Sequence, residues 1–280
     1  MPNLLEWQPG KVLQCLVYGR FKTGKTYGAG SFPRPNVMDF DRGIGTLANP
    51  DWLAKYGRRS IEYMQFTEKN KTPQGVVKIA NAFDDASRYF DDWMRPSKRD
   101  QFDTWIVDSG TSMSQAAQNK AIMLMGDTSF TGPKVMSVTH KQALAKGMVF
   151  PKIQDYGAER SLVDQFVQML LDSGKNFVFI CHEKELTNDD GATTAIVPLL
   201  TGRGVDEISL KFDEVYNLRI RKQGTGMLRE LLTEPDGIRY VGSRAGVPNG
   251  TSWDYDSIIA ALTKRHEDAR KILDNTKESK

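Results

Sequence analysis

Cysteine and histidine are scarce in this chain, with two of the first and three of the second among 280 residues. Cys15 and Cys181 each sit inside an apolar run and read as buried, reduced thiols. That scarcity excludes a disulfide framework and a cysteine-rich zinc site. Long hydrophobic runs are also missing. None approaches the roughly 18 residues that cross a bilayer, so no membrane segment is expected. The opening MPNLLEWQPGK has no basic stretch followed by an apolar one. No secretory signal is therefore expected, and an intracellular, cytoplasmic protein is. Neither sign of charge dominates: the net charge is +3 and the pI about 8.7. That balance permits a local basic groove without requiring one. Internal repeats and low-complexity linkers are absent too.

What remains is a globular α/β pattern. Short apolar runs at 12–18, 36–40, 61–66, 105–108 and 177–181 read as strands, the last one apolar on both faces as in a covered parallel sheet. Apolar residues at helical spacing predict helices over 75–94, 112–125, 156–171 and 253–273. Residues 183–198 read as a polar loop around Asn188-Asp189-Asp190-Gly191. The runs 214–221 and 227–233 flank Gln223-Gly224-Thr225-Gly226 and predict a hairpin, and 238–241 predicts a late strand after the turn Pro235-Asp236-Gly237. Strands alternating with helices imply one α/β domain with a mostly parallel sheet flanked by helices, ending in β-hairpins. We expect that domain over 1–250 and a helical extension over 251–280.

One segment carries the chemistry. Gly19-Arg20-Phe21-Lys22-Thr23-Gly24-Lys25-Thr26 matches G-x-x-x-x-G-K-[ST] between a strand and a helix start. Glycines let the backbone curl so that several N–H groups face one phosphate, and the helix N-terminus adds its positive end. Lys25 would reach the β- and γ-phosphates and Thr26 would give its hydroxyl to Mg²⁺, with Tyr27 next in the chain. The pattern predicts binding of ATP with Mg²⁺. Asp108 ends the run Trp105-Ile106-Val107, where a carboxylate at the carboxyl end of a neighbouring parallel strand holds the magnesium shell. Asp39 and Asp41 close the strand 36–40 at i and i+2, which on an extended chain puts both on one side. Asp41 is the candidate for water activation, against solvated acids at a strand end. His182 follows the strand 177–181 and is a candidate γ-phosphate sensor, with general base, metal ligand and plain surface residue as rivals.

With these residues in place, the chain resembles the phage-type RecA-like ATP-binding proteins, an AAA-type group linked to single-strand DNA annealing and recombination. The likeness runs from about Leu13 to about Arg244. Its marks are the phosphate loop, Asp39–Asp41, Ile106-Val107-Asp108-Ser109, Gln154-Asp155-Tyr156-Gly157, Ile180-Cys181-His182-Glu183-Lys184, Pro198 with Gly202-Arg203, and Phe212-Asp213-Glu214-Val215. The resemblance implies a RecA-like P-loop fold, ATP hydrolysis, single-stranded DNA as partner, and assembly into a homo-oligomeric ring or filament. By similarity, DNA would meet the stretch after Asp108, which carries Lys134, Lys141 and Lys146, and the loop 183–198, with Arg203 just beyond it. Asp189 and Asp190 depart from that pattern, because they would repel phosphate. The family often ends its core on a Lys-x-Arg-like element. Here Gly242-Ser243-Arg244 keeps only the arginine, which implies a finger acting on a neighbour's ATP. Two other readings stay open: a P-loop small-molecule kinase, and a non-catalytic ATP-binding scaffold for replication or packaging proteins.

Overall fold

The protein is described from a computed structural model, covering residues 12–57, 60–71, 77, 79–124, 153–201, 204–224 and 226–278. Among these residues nine strands join in one mixed sheet. They are β1 (Gln14–Gly19), β2 (Pro35–Asp39), β3 (Glu62–Gln65), β4 (Thr104–Asp108), β5 (Asn176–Thr187), β6 (Thr193–Pro198), β7 (Glu214–Gln223), β8 (Gly226–Leu232) and β9 (Gly242–Ser243). The order across the sheet is β3-β2-β4-β5-β1-β7-β8. Its first six strands run parallel, and β6, β8 and β9 add antiparallel pairs at the margins. This is a RecA-like P-loop α/β fold. One expected detail changes: β5 lies between β1 and the strand that carries Asp108, so those two are not neighbours.

The helices are α1 (Lys25–Ala29), α2 (Pro50–Tyr56), α3 (Ala82–Trp93), α4 (Gly110–Leu124), α5 (Ile153–Asp172), α6 (Gly204–Ser209) and α7 (Tyr255–Glu278), with a 3₁₀ turn at Ile44–Ala48. Strand alternation sorts the core into two layers. Leu16, Tyr18, Trp105, Val107, Phe177 and Phe179 face one way, onto Phe83, Phe90, Met113 and Phe166 of α3, α4 and α5. Cys15, Val17, Ile106, Val178 and Ile180 face the other way, onto Ala29 and Phe32 next to α1, and onto Trp253 and Ile258. Both cysteines are buried and free, as expected. The Trp253 indole donates to the Lys25 carbonyl at 2.9 Å, so the start of α7 is fastened directly to the phosphate-loop helix.

Several predicted elements differ in extent. The helix expected over 75–94 starts at Ala82, because the Glu68 carboxylate accepts from the Asn81 and Ala82 amides and fixes the first turn there. Ile79, expected on its apolar face, is exposed. The segment 183–198 is not a loop. β5 runs on to Thr187 and returns as β6, and only the Asn188–Gly191 turn connects them. Polarity misled here, because the tip half of this hairpin stands in solvent and only Ile196–Pro198 at its base are buried. The late strand expected at 238–241 reduces to a single bridge between Ile196 and Arg239, and ladder pairing resumes only at Gly242–Ser243. No helix among the described residues is long and apolar enough to cross a membrane.

Candidate functional site

Local chemistry shapes the turn that leaves β1. Gly24 adopts φ +92°, a conformation costly for a side chain, and a Cβ there would fall 2.3 Å from Arg229 Nε. A Cβ on Gly19 would meet the Leu218 carbonyl oxygen at 2.7 Å. Thr23 Oγ1 donates to the Arg20 carbonyl and is buried, while Phe21 at the apex is exposed. Lys25 is buried, and its ammonium donates to the Gly19 and Arg20 carbonyls at 2.8 and 2.7 Å. Burial lowers its pKa, against the pull of Asp108 and other groups. Arg20 points away from the loop: Nε meets Glu183 at 3.1 Å and Nη2 meets Glu185 at 2.8 Å. The loop is thereby stapled to the β5–β6 hairpin.

The acids arrive from β2 and β4. Thr26 Oγ1 donates to Asp108 Oδ2 at 2.6 Å. Burial pushes the Asp108 carboxyl up to about 6, and Asp41 and Asp39 add repulsion that the Thr26 hydrogen bond and Lys25 only partly offset. Asp39 and Asp41 do not share one side. The strand ends at Asp39, and its carboxylate accepts from the amides of Asp41, Gly43 and Ile44 and from Gln65 Nε2. Asp39 thus anchors the turn, and Asp41 swings toward α4 and β5. The Ser112 hydroxyl donates to Asp41 Oδ1, and His182 Nε2 lies 3.2 Å from Oδ2. Burial alone would raise the Asp41 carboxyl. Hydrogen bonds from His182, Ser112 and Ser109 outweigh it and hold the carboxyl below its usual range.

These groups line one cavity of about 460 Å³, bounded by Lys22, Gly24, Lys25, Thr26, Tyr27, Asp41, Asp108 and His182. It lies at the carboxyl ends of the parallel strands, where the chain leaves β1 toward both sides of the sheet. The residues present fit a magnesium–nucleotide. The glycine turn leaves room that a Cβ would fill, and a buried ammonium stands behind it. One hydroxyl and one desolvated carboxylate offer the few protein oxygens that Mg²⁺ takes beside phosphates.

The sequence profile of the AAA domain family matches residues 11–244. The chain belongs to that family. A KaiC-like protein from the hyperthermophilic archaeon Pyrococcus horikoshii OT3 is a similar solved structure, with 16% identity over 79% of this chain and 77% of that one and a TM-score of 0.40. No curated protein matches the sequence.

For this AAA-domain chain, the remaining expected site residues fall elsewhere. Lys134, Lys141, Lys146 and Arg203 lie outside the described residues. Arg244 lies beside the start of β7, level with Cys15, at the sheet end opposite the phosphate loop. It pairs with Asp213 and its side chain is 75% exposed. Within one chain it does not enter the cavity. Sequence reasoning missed Arg229, which does line the cavity. It sits on the hairpin strand β8, in no motif, and only the packing of that strand beside the loop brings it in. It also missed Ser112 and Asp39's anchoring role, which depend on the turn after β2.

Proposed function

We propose that this protein binds ATP with Mg²⁺ in the cavity above β1 and hydrolyses it, and that the ATP state governs its grip on single-stranded DNA during annealing, recombination or repair. One observation carries the ATPase reading. Lys25, Thr26, Asp108, Asp41 and His182, drawn from four separate segments, converge on one cavity behind a glycine turn. Lys25 holds the β- and γ-phosphates by charge. Thr26 and Asp108 hold Mg²⁺, which neutralises charge on the phosphate oxygens when bound. Asp41, kept ionised by its hydrogen bonds, accepts a hydrogen bond from the attacking water and orients it. His182 donates its backbone N–H to the Thr111 hydroxyl and its ring lies against Asp41, which supports a role in reporting the terminal phosphate.

Support for the DNA reading comes from the lysines between Lys134 and Lys152 and from the likeness of the motif order to phage-type annealing ATPases. Oligomerisation into a ring or filament belongs to the same reading, with Arg244 acting on a neighbour's ATP. The test of the ATPase is Lys25→Ala. Turnover should fall by about 100-fold or more with the fold intact, because charge stabilisation of the transferred phosphoryl dominates this chemistry. An unchanged turnover number in the folded variant would remove the assignment.

A further inference from the structure

Arg229 is the cavity residue that the ATPase reading leaves without work. Three observations bear on it. Its guanidinium carbon lies 4.8 Å from the centroid of the Tyr27 ring, the residue directly after Thr26. Its side chain lies against the phosphate loop, with Nε 2.3 Å from where a Cβ on Gly24 would stand. Its Nε is buried and donates to nothing. Arg219 Nε and Arg239 Nε are also buried without a partner, but neither residue lines the cavity; Arg239 pairs with Asp236, and Arg221 meets Glu230 at 3.1 Å. Among the described residues no such ion pair is formed by Arg229.

A partly buried guanidinium with an unsatisfied donor is costly unless an anion completes it. The tyrosine face holds the cation in place by cation–π attraction but neutralises nothing. The adjoining phosphate loop is an anion cradle. Its planar fork matches two phosphate oxygens, which an ammonium cannot do. Position selects which phosphate. Thr26 donates to Asp108 on β4, and Asp41 beyond β2 and His182 on β5 line that same side of the cavity. Arg229 stands on β8, across β1 from all three. A nucleotide with its terminal phosphate at the acid end would therefore present its nucleoside-proximal phosphate to Arg229.

We propose that Arg229 is a same-chain ligand of the phosphate nearest the nucleoside, braced on Tyr27. This rests on the nucleotide reading above. The experiment is calorimetric titration of the full chain with ATP, ADP and GTP in the presence of Mg²⁺, for the wild type, Arg229→Ala and Arg229→Lys, with folding checked by circular dichroism. Arg229→Ala should raise Kd for ATP and for ADP by a similar factor, about tenfold or more, and leave the ATP-to-GTP ratio unchanged. Arg229→Lys should fall between, keeping charge and losing the fork. A wild type that binds no nucleotide sinks the ATPase reading itself. A wild type that binds, beside a folded Arg229→Ala of equal affinity, sinks only this proposal. A loss confined to ATP would move the guanidinium to the terminal phosphate, and a changed ATP-to-GTP ratio would move it to the base; either overturns the assignment. If Arg229→Ala does not fold, Arg229→Lys decides, since wild-type affinity there excludes a fork contact.

Discussion

Asp108→Asn should make the ligand-free protein more stable at neutral pH while ending its response to Mg²⁺. The carboxyl is held up to about 6 from an ordinary 3.8, chiefly because burial penalises its charge and Asp41 and Asp39 repel it. At about 1.4 kcal/mol per pH unit, keeping it ionised above pH 6 costs the fold about 3 kcal/mol. The sign follows from proton linkage. A carboxyl with a raised folded pKa binds more protons folded than unfolded between about 4 and 6. Its relative stabilisation is full below about 4 and is lost as pH rises through 6. Asparagine carries no charge to lose, and its Oδ1 can still accept from Thr26. Leaving its amide group desolvated costs about 1 kcal/mol, so the net gain is about 1–2 kcal/mol.

The assay is urea unfolding of wild type and variant in EDTA, at steps from pH 4 to pH 8. The variant should lie about 1 kcal/mol below wild type at pH 4, the curves should cross between 4 and 6, and they should run parallel above 6 with the variant ahead. Nucleotide titration at pH 7.5 with and without Mg²⁺ completes it: metal should tighten wild type and leave the variant nearly unchanged. A variant that is less stable than wild type at pH 7.5, or that still tightens with metal, would refute both the buried-charge argument and the magnesium role of Asp108.

Asp41→Asn should preserve ATP affinity and lower the hydrolysis rate by about 100-fold, read by single-turnover phosphate release; a parental rate moves water activation elsewhere. Log affinity for single-stranded DNA should fall against log salt at about −0.7 per phosphate neutralised, and reversing the charge of Lys141 and Lys146 together should flatten that slope; binding indifferent to both removes this groove. Mixing Lys25→Ala with Arg244→Ala should restore part of the ATPase activity, since some interfaces then hold an intact loop facing an intact arginine; full activity in Arg244→Ala alone rejects the finger.

What the sequence disclosed and what it hid divide along a physical line. The phosphate loop and Asp108 were legible because each lies at the end of an apolar strand, and His182 because the apolar part of β5 stops just before it, although the strand itself runs on to Thr187. Asp41 was legible as a candidate, yet its partnership with Asp39 was misread. Alternation holds only while the chain stays extended, and three amides of the turn pull the Asp39 carboxylate away. The hairpin after His182 was hidden because its tip half stands in solvent and carries no apolar alternation. The start of α3 was hidden because Glu68, far from the helix's own periodicity, fixes it. Arg229 left no local trace at all. Its place depends on the register of β7 against β1 and of β8 against β7, a product of the whole sheet.

Two of the site's three perturbed groups share a cause. Burial lowers Lys25 and raises Asp108, so the same surroundings penalise a cation and an anion. They relieve each other only slightly, because Thr26 holds Asp108 while the ammonium is turned onto the Gly19 and Arg20 carbonyls. An anion alone would satisfy Lys25 and repel Asp108 and Asp41. A metal ion alone would satisfy the acids and repel Lys25 and Arg229. A ligand carrying both signs, with its positive end toward β4 and its negative end over the glycine turn, satisfies Lys25, Arg229, Asp108 and Asp41 together. In the proposed reading, this arrangement of charges favours a metal–polyphosphate over either component and sets the direction in which that ligand lies.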